Sequence, residues 1–177
     1  MSPSAAPGCL LQLPERLLHA DYRWELDGQW RALRVGVPAP ELEDAFPDVR
    51  RFGLLSASRP GWAHPDGRVP APDADRALQR LLAGLRLHHR PACAISGNRT
   101  WKLYGWLVLD PDTSVFDGLT QRFGQTGALL WARGQAVRLR ISGARPAGTP
   151  QHAAIDWIDA SPSNAPANEP AIAASSP

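Results

Sequence analysis

Two segments of the chain carry apolar residues at the spacing of an amphipathic helix. In residues 74–85 and again in residues 115–123, apolar side chains recur every three or four positions. The first segment begins with acidic residues and ends with basic ones, an order that complements the helix dipole. The second is followed by Gly124, a residue that favours the left-handed backbone at a helix end. Both patterns predict long helices with a single buried face.

The remaining apolar runs are typical of strands and short helices. Asp27-Gly28 accepts the positive φ of a two-residue turn and predicts a hairpin between residues 22–26 and 30–35. Residues 51–57 are mostly apolar, as expected for a strand buried on both faces. Further strands are predicted at residues 92–95, 101–109, 128–132 and 136–141, and short helical segments at residues 14–20 and 41–46.

From residue 52 onward the predicted order of elements is β-α-β-β-α-β, followed by one more strand. This is the order of the split β-α-β, or ferredoxin-like, arrangement. We therefore predict an α/β two-layer sandwich, with a ferredoxin-like core, an N-terminal β-hairpin and one extra C-terminal strand. Because each long helix has a single apolar stripe, both are expected on one face of the sheet.

The length of 177 residues suits one domain with a flexible segment at each end. We predict a flexible N-terminus at residues 1–13, a single α/β domain at residues 14–142 and a disordered tail at residues 143–177. The tail is rich in Ala, Pro and Ser and lacks an apolar period. Within it, residues 155–159 form an apolar island around Trp157, which is either a docking peptide or a chance cluster.

Composition and charge add few constraints. The formal net charge is +2, and Lys102 is the single lysine among 19 basic residues. Such arginine use reflects codon composition or, alternatively, a surface that grips phosphate. Cys9 and Cys93 are far apart and fit no zinc-binding spacing, so no metal site or cofactor is predicted. Without a secretion signal or a long apolar segment, a cytoplasmic protein is predicted.

Three short motifs occur in order along the chain: Ser56-Ala57-Ser58-Arg59-Pro60, Trp101-Lys102-Leu103-Tyr104-Gly105 and Phe123-Gly124-Gln125-Thr126-Gly127. On these motifs the chain resembles a bacterial group, domain-of-unknown-function family 3293, with a weaker likeness over residues 22–141. The resemblance supports the predicted fold and implies no activity. Leu103, Gly105 and Arg59 stand where the family shows Glu, Ser and Asn. Since Leu has no titratable group, residue 103 cannot act as an acid, a base or a ligand as a Glu could.

Arg59, Trp101, Tyr104 and Gln125 lie in or beside these motifs and are the candidate ligand-binding residues. The predicted elements place them near strand ends and loops, where binding sites commonly form. Two of them also have structural alternatives. Trp101 can be an ordinary core aromatic, and the amide of Gln125 can secure the turn after the helix.

We predict from these observations a non-catalytic binding or accessory module that engages an unidentified protein or a small anionic ligand through this loop face. The alternative is an enzyme with a small-molecule pocket at the same face, in which Tyr104, His64 or Lys102 would transfer protons. A third hypothesis is nucleic-acid binding, against which the absence of the aromatic RNA-binding strand motif counts. No catalytic residue can be assigned, and no membrane partner is expected.

Overall fold

The structure, a computed structural model, describes residues 13–57, 72–97, 99 and 101–158. Its four helices are α1 (Leu13–Leu18), α2 (Pro40–Ala45), α3 (Pro72–Gly84) and α4 (Thr113–Arg122). Its eight strands are β1 (Asp21–Leu26), β2 (Gln29–Leu33), β3 (Arg51–Leu55), β4 (His89–Ile95), β5 (Lys102–Leu109), β6 (Gly127–Ala132), β7 (Leu139–Ser142) and β8 (Ile155–Ile158). None of the helices in this part of the chain is long and apolar enough to cross a membrane.

All eight strands belong to one mixed sheet in the order β2-β1-β4-β5-β3-β6-β7-β8. Every neighbouring pair is antiparallel except β7 and β8, which are parallel. The hairpin of β1 and β2 turns at Asp27 and Gly28, whose φ angles of 51° and 77° are both positive. Such angles suit a two-residue turn that matches the twist of its strands.

Helices pack on both faces of the sheet. Side chains alternate between the two faces along a strand, so Phe52 and Leu54 of β3 point to one apolar cluster and Leu55 to the other. The first cluster includes Leu17 of α1 and Leu42 of α2, and we call its side the α1–α2 face. The second cluster holds the buried apolar residues of α3 and α4, on the α3–α4 face: Leu78, Leu82, Phe116 and Leu119.

The predicted fold is therefore wrong. The chain forms an eight-stranded mixed sheet with helices on both faces, rather than a two-layer ferredoxin-like core with a hairpin and one extra strand. The short helices α1 and α2 each have six residues, too few for a periodic apolar pattern to reveal that they form a third layer. Their buried residues, Leu17 and Leu42, become significant only through contacts that are distant in sequence.

The prediction of a disordered tail is also wrong for residues 143–158. They lead into β8, whose four residues pair with β7 from Leu139↔Ile155 to Ser142↔Ile158. Arg138 donates two hydrogen bonds to the Asp156 carboxylate, at 2.8 and 2.5 Å, and Trp157 packs on the α1–α2 cluster. The apolar island is thus a strand, recognisable only once β7 supplies its partner. Residues 159–177, like residues 1–12, lie outside the described part.

Candidate functional site

The predicted site residues lie on opposite sides of the sheet. Arg59 falls outside the described residues. Trp101 packs on the α1–α2 cluster, whereas Tyr104 projects from β5 on the α3–α4 face. Gln125 lies in the connection between α4 and β6. The structure therefore brings Trp101 and Gln125 together and separates Tyr104 from them.

Trp101 and Gln125 share a small cavity at the ends of β3, β5 and β6. Its volume is about 30 Å³, and its remaining lining residues are Leu17, Tyr22, Leu54, Leu55, Ser56, Ala94, Leu103, Gly105, Gly127 and Ala128. One water needs at least about 10 to 15 Å³, so the cavity suits one or two waters. Ligand pockets are larger, at about 300 to 1,000 Å³.

Gln125 connects two elements at this cavity. Its side-chain oxygen accepts a hydrogen bond from the Ser56 hydroxyl at 3.1 Å, and its backbone N–H donates to Thr120 at 2.8 Å. The residue is only 7% exposed. These contacts join the end of α4 to the residue after β3, which supports the structural alternative for Gln125.

Tyr104 belongs to a different environment, a part of the α3–α4 face that the two long helices leave uncovered. At the border of this uncovered part, the Trp106 indole donates a hydrogen bond to the Asp75 carboxylate of α3 at 3.1 Å. Beyond Trp106, the side chains on this face belong to neither apolar cluster. We call this surface the open sheet face. Its residues are Asp21, Arg23 and Glu25 of β1, Trp30 and Ala32 of β2, Pro91, Cys93 and Ile95 of β4, and Lys102 and Tyr104 of β5.

Two aromatic side chains stand at opposite margins of the open sheet face. Tyr104 is 60% exposed and Trp30 is 42% exposed, and in the described part of the chain they are the exposed aromatic residues. The Lys102 ammonium lies 4.6 Å from the centroid of the Tyr104 ring, a cation–π distance. A hydrogen bond with Tyr104 also raises the pKa of Lys102, which keeps the ammonium charged.

The other charges on this face are engaged within β1 and its turn. Arg23 donates two hydrogen bonds to Asp21, at 2.9 and 2.7 Å, and this contact raises the pKa of Arg23. The Glu25 carboxylate accepts a hydrogen bond from the Gly28 backbone N–H at 2.5 Å, within the hairpin turn. Asp21 and Glu25 balance Arg23 and Lys102, so these four side chains carry no net charge.

Cys93 lies at the centre of the open sheet face, between Arg23 and Tyr104 on the neighbouring strands. It is only 2% exposed. Burial raises the pKa of its thiol, although the charges of Lys102 and Arg23 act in the opposite direction. The thiol therefore stays protonated at neutral pH and lacks the features of an activated nucleophile.

A wider groove adjoins the open sheet face at Asp21. Its volume is about 340 Å³, and it is lined by Leu18, His19, Ala20, Asp21, Leu33, Arg34, Val35 and Val37. Among the residues that the structure describes, no group of three or more His, Cys, Asp or Glu side chains is placed to hold a metal ion. Arg23 and Trp30 were not among the predicted site residues. The alternation of β1, with polar residues at every second position, was the signal that could have found this face.

Comparisons of the chain with protein-family models, with curated proteins and with solved structures find no match. The resemblance to domain-of-unknown-function family 3293 therefore stays a prediction from the three motifs.

Proposed function

We propose that the chain is a non-catalytic binding module whose partner is a protein that docks on the open sheet face. The observation that carries the proposal is the position of Tyr104. Its ring is 60% exposed within a strand, on a part of the sheet that neither α3 nor α4 covers. A large aromatic side chain at such a place loses unfavourable hydration when a partner covers it.

The composition of the open sheet face supports a protein as the partner. Tyr, Trp and Arg are the residue types that dominate binding energy at protein interfaces, and Tyr104, Trp30 and Arg23 all occur here. Small neutral side chains such as Ala32 and Cys93 lie between them and allow close approach. The surface thus combines aromatic anchors with a polar surround, as interfaces commonly do.

The charge balance favours a protein over a nucleic acid. Binding to a polyanion depends on a surplus of basic side chains that contact phosphates. On the open sheet face the carboxylates of Asp21 and Glu25 offset Arg23 and Lys102. A phosphate backbone that crossed this surface would meet both carboxylates.

The geometry offers less support for an enzyme. Tyr104 and Lys102, two of the residues considered for proton transfer, project from an exposed sheet surface rather than into a cavity. His64 lies outside the described residues. The cavity beside Trp101 and Gln125 has a volume of about 30 Å³, below that of a substrate pocket.

A quantitative affinity enrichment tests the proposed function. The tagged full-length chain and a variant with both Trp30→Ala and Tyr104→Ala are incubated with lysate from the source organism. The matched control carries Val37→Ala and Leu85→Ala, which remove exposed apolar side chains outside the open sheet face. We expect specific partner proteins with the wild type and the control and their loss with the aromatic double variant. Equal enrichment with all three would contradict the proposal.

A further inference from the structure

The two described helices on the α3–α4 face pack over different strands. α4 lies over β3 and β6, since Phe116 packs with Leu130 and a Cβ atom on Gly53 would meet the Phe116 ring at 2.4 Å. α3 lies closer to β5, because its buried leucines share a cluster with Val108 and Asp75 bonds to Trp106. Helices packed on a sheet lie roughly 10 Å apart, which equals about two strand spacings of 4.8 Å.

Two strand spacings from β5, over which α3 packs, lead to β1, which lies between β2 and β4. The side chains that β1 and β4 direct to this face belong to neither apolar cluster. On β4 they are Pro91, Cys93 and Ile95, which are short or of moderate size. The described part of the chain therefore has a sheet surface for a further helix, in the same layer as α3 and α4.

The margins of this surface have the spacing that one helix requires. Tyr104 on β5 and Trp30 on β2 stand three strand spacings apart, or about 14 Å across the sheet. A helix with its side chains is about 10 to 12 Å in diameter. One helix that lay along β1 and β4 would therefore contact both aromatic rings.

The charged side chains of this surface indicate one property of a helix that would bind there. Arg23 pairs with Asp21, and Glu25 bonds to the hairpin turn. Lys102 has no carboxylate within ion-pair distance among the residues that the structure describes. An acidic side chain on the occupant would pair with this ammonium.

We propose that the open sheet face binds one amphipathic α-helix of a partner protein, which lies beside α3 and presents an acidic side chain to Lys102. The proposal rests on the proposed function and deepens it by naming the kind of partner. The apolar stripe of the partner helix contacts Tyr104 and Trp30, and its acidic residue lies at the Lys102 end of the surface. The occupant completes the helical layer over the open part of the sheet.

Site-specific photocrosslinking tests the geometry. Benzoylphenylalanine replaces Trp30 or Tyr104 in the full-length chain, produced in its source organism, and replaces Val37 or Leu85 as controls. We expect crosslinks from positions 30 and 104 to the same partner protein, at residues on opposite flanks of one of its helices. No crosslink above the controls would contradict both proposals. A crosslink to an extended segment or to a second copy of this chain would overturn the helix and leave protein binding in place. A crosslink to nucleic acid would overturn both.

Charge reversal tests the role of Lys102 with the crosslinked partner, once purified. Lys102→Glu should weaken the affinity by at least roughly tenfold, as loss of a charged hydrogen bond does. Lysine in place of the acidic residue of the partner should restore the affinity for Lys102→Glu. The matched control is Arg122→Glu on α4, an exposed cation away from the open sheet face, and it should bind as the wild type does. An unchanged affinity for Lys102→Glu would overturn the assigned pairing. So would a partner variant with lysine in place of its acidic residue that fails to restore the affinity for Lys102→Glu.

Discussion

The end of β5, together with β3 and β6, buries side chains on both faces of the sheet, whereas β2, β1, β4 and the start of β5 bury side chains mostly on one face, with Cys93 as an exception. We call these the covered half and the open half. In β3, Leu54 and Leu55 are both buried although they point in opposite directions. In β1, buried Trp24 follows Arg23, which lies on the open sheet face.

Because of this difference, side chains of the covered half contribute most to the stability of the domain, and side chains on the outer face of the open half contribute little. Burying a large apolar side chain contributes about 1.5 to 3 kcal/mol, and the covered half does so on both sides of each strand. Exposed substitutions usually change stability by less than about 0.5 kcal/mol. The outer face of the open half can therefore vary with little effect on folding, so a binding surface is compatible with the stability of the domain.

The largest expected effect is in the covered half. Phe116 is fully buried between α4 and the sheet, so Phe116→Ala should lower the free energy of unfolding by about 3 to 5 kcal/mol. Denaturant unfolding measures the change. Phe123, at the end of the same helix, is the matched control because it is only partly buried, and Phe123→Ala should have a smaller effect. Equal losses for the two variants would show that α4 is not anchored as described.

A second prediction concerns Gly105, on β5 where the two halves meet. A Cβ atom here would lie 2.3 Å from the backbone oxygen of Leu55, so Gly105→Ala forces β5 and β3 apart. We expect a loss of about 1 to 3 kcal/mol, as for other overpacked sites. The control is Gly118→Ala on α4, where a Cβ meets nothing within 4 Å and should stabilise by about 0.5 to 1 kcal/mol. If Gly105→Ala left the free energy of unfolding unchanged, the close approach of β5 and β3 would be contradicted.

The local elements of the covered half could be predicted from the sequence, but the complete architecture could not. A strand was predicted at residues 101–109 and lies at Lys102–Leu109, and the apolar run at residues 51–57 contains β3. Such segments carry their pattern within their own residues. β8 does not, because its residues form a strand by pairing with β7, and Asp156 pairs with Arg138, the residue before β7. Long-range contacts of this kind have no local signature.

The candidate site was predictable in part. Strand alternation alone places Leu103 and Tyr104 on opposite faces of β5, so it could have separated Tyr104 from Trp101. The same rule identifies the polar face of β1. The sheet order could not be predicted from the sequence. Only that order places Trp30 three strands from Tyr104, and none of the described helices covers the surface between them. The margins of the open sheet face thus depend on tertiary structure.

A third, smaller effect is expected at the β8 edge. The two hydrogen bonds from Arg138 hold the pKa of Asp156 below its ordinary value of about 3.9. Because the folded-state pKa is lowered, ionised Asp156 stabilises the fold above about pH 4, and this contribution disappears as the pH falls through the folded-state pKa. Asp156→Asn should lower the free energy of unfolding by up to about 1 kcal/mol at pH 7, since the pair is partly exposed.

Unfolding of Asp156→Asn and wild type as a function of pH measures this contribution. The difference between the two proteins should shrink as the pH is lowered below about 4. Exposed Asp48 provides the control, and Asp48→Asn should match the wild type at pH 7. A difference between Asp156→Asn and wild type that stays constant from pH 7 to the acid range would show that the Arg138 pair does not hold β8.

The smallest effect on stability is expected in the open half, at Tyr104. Its ring is largely exposed and belongs to neither apolar cluster, so Tyr104→Ala should change the free energy of unfolding by less than about 0.5 kcal/mol. Tyr104→Phe is the matched variant because it keeps the ring and removes only the hydroxyl. Both should unfold at the same denaturant concentration as the wild type. If Tyr104→Ala lost as much stability as Phe116→Ala, the aromatic ring would belong to the core, and the division of the sheet into a covered and an open half would be wrong.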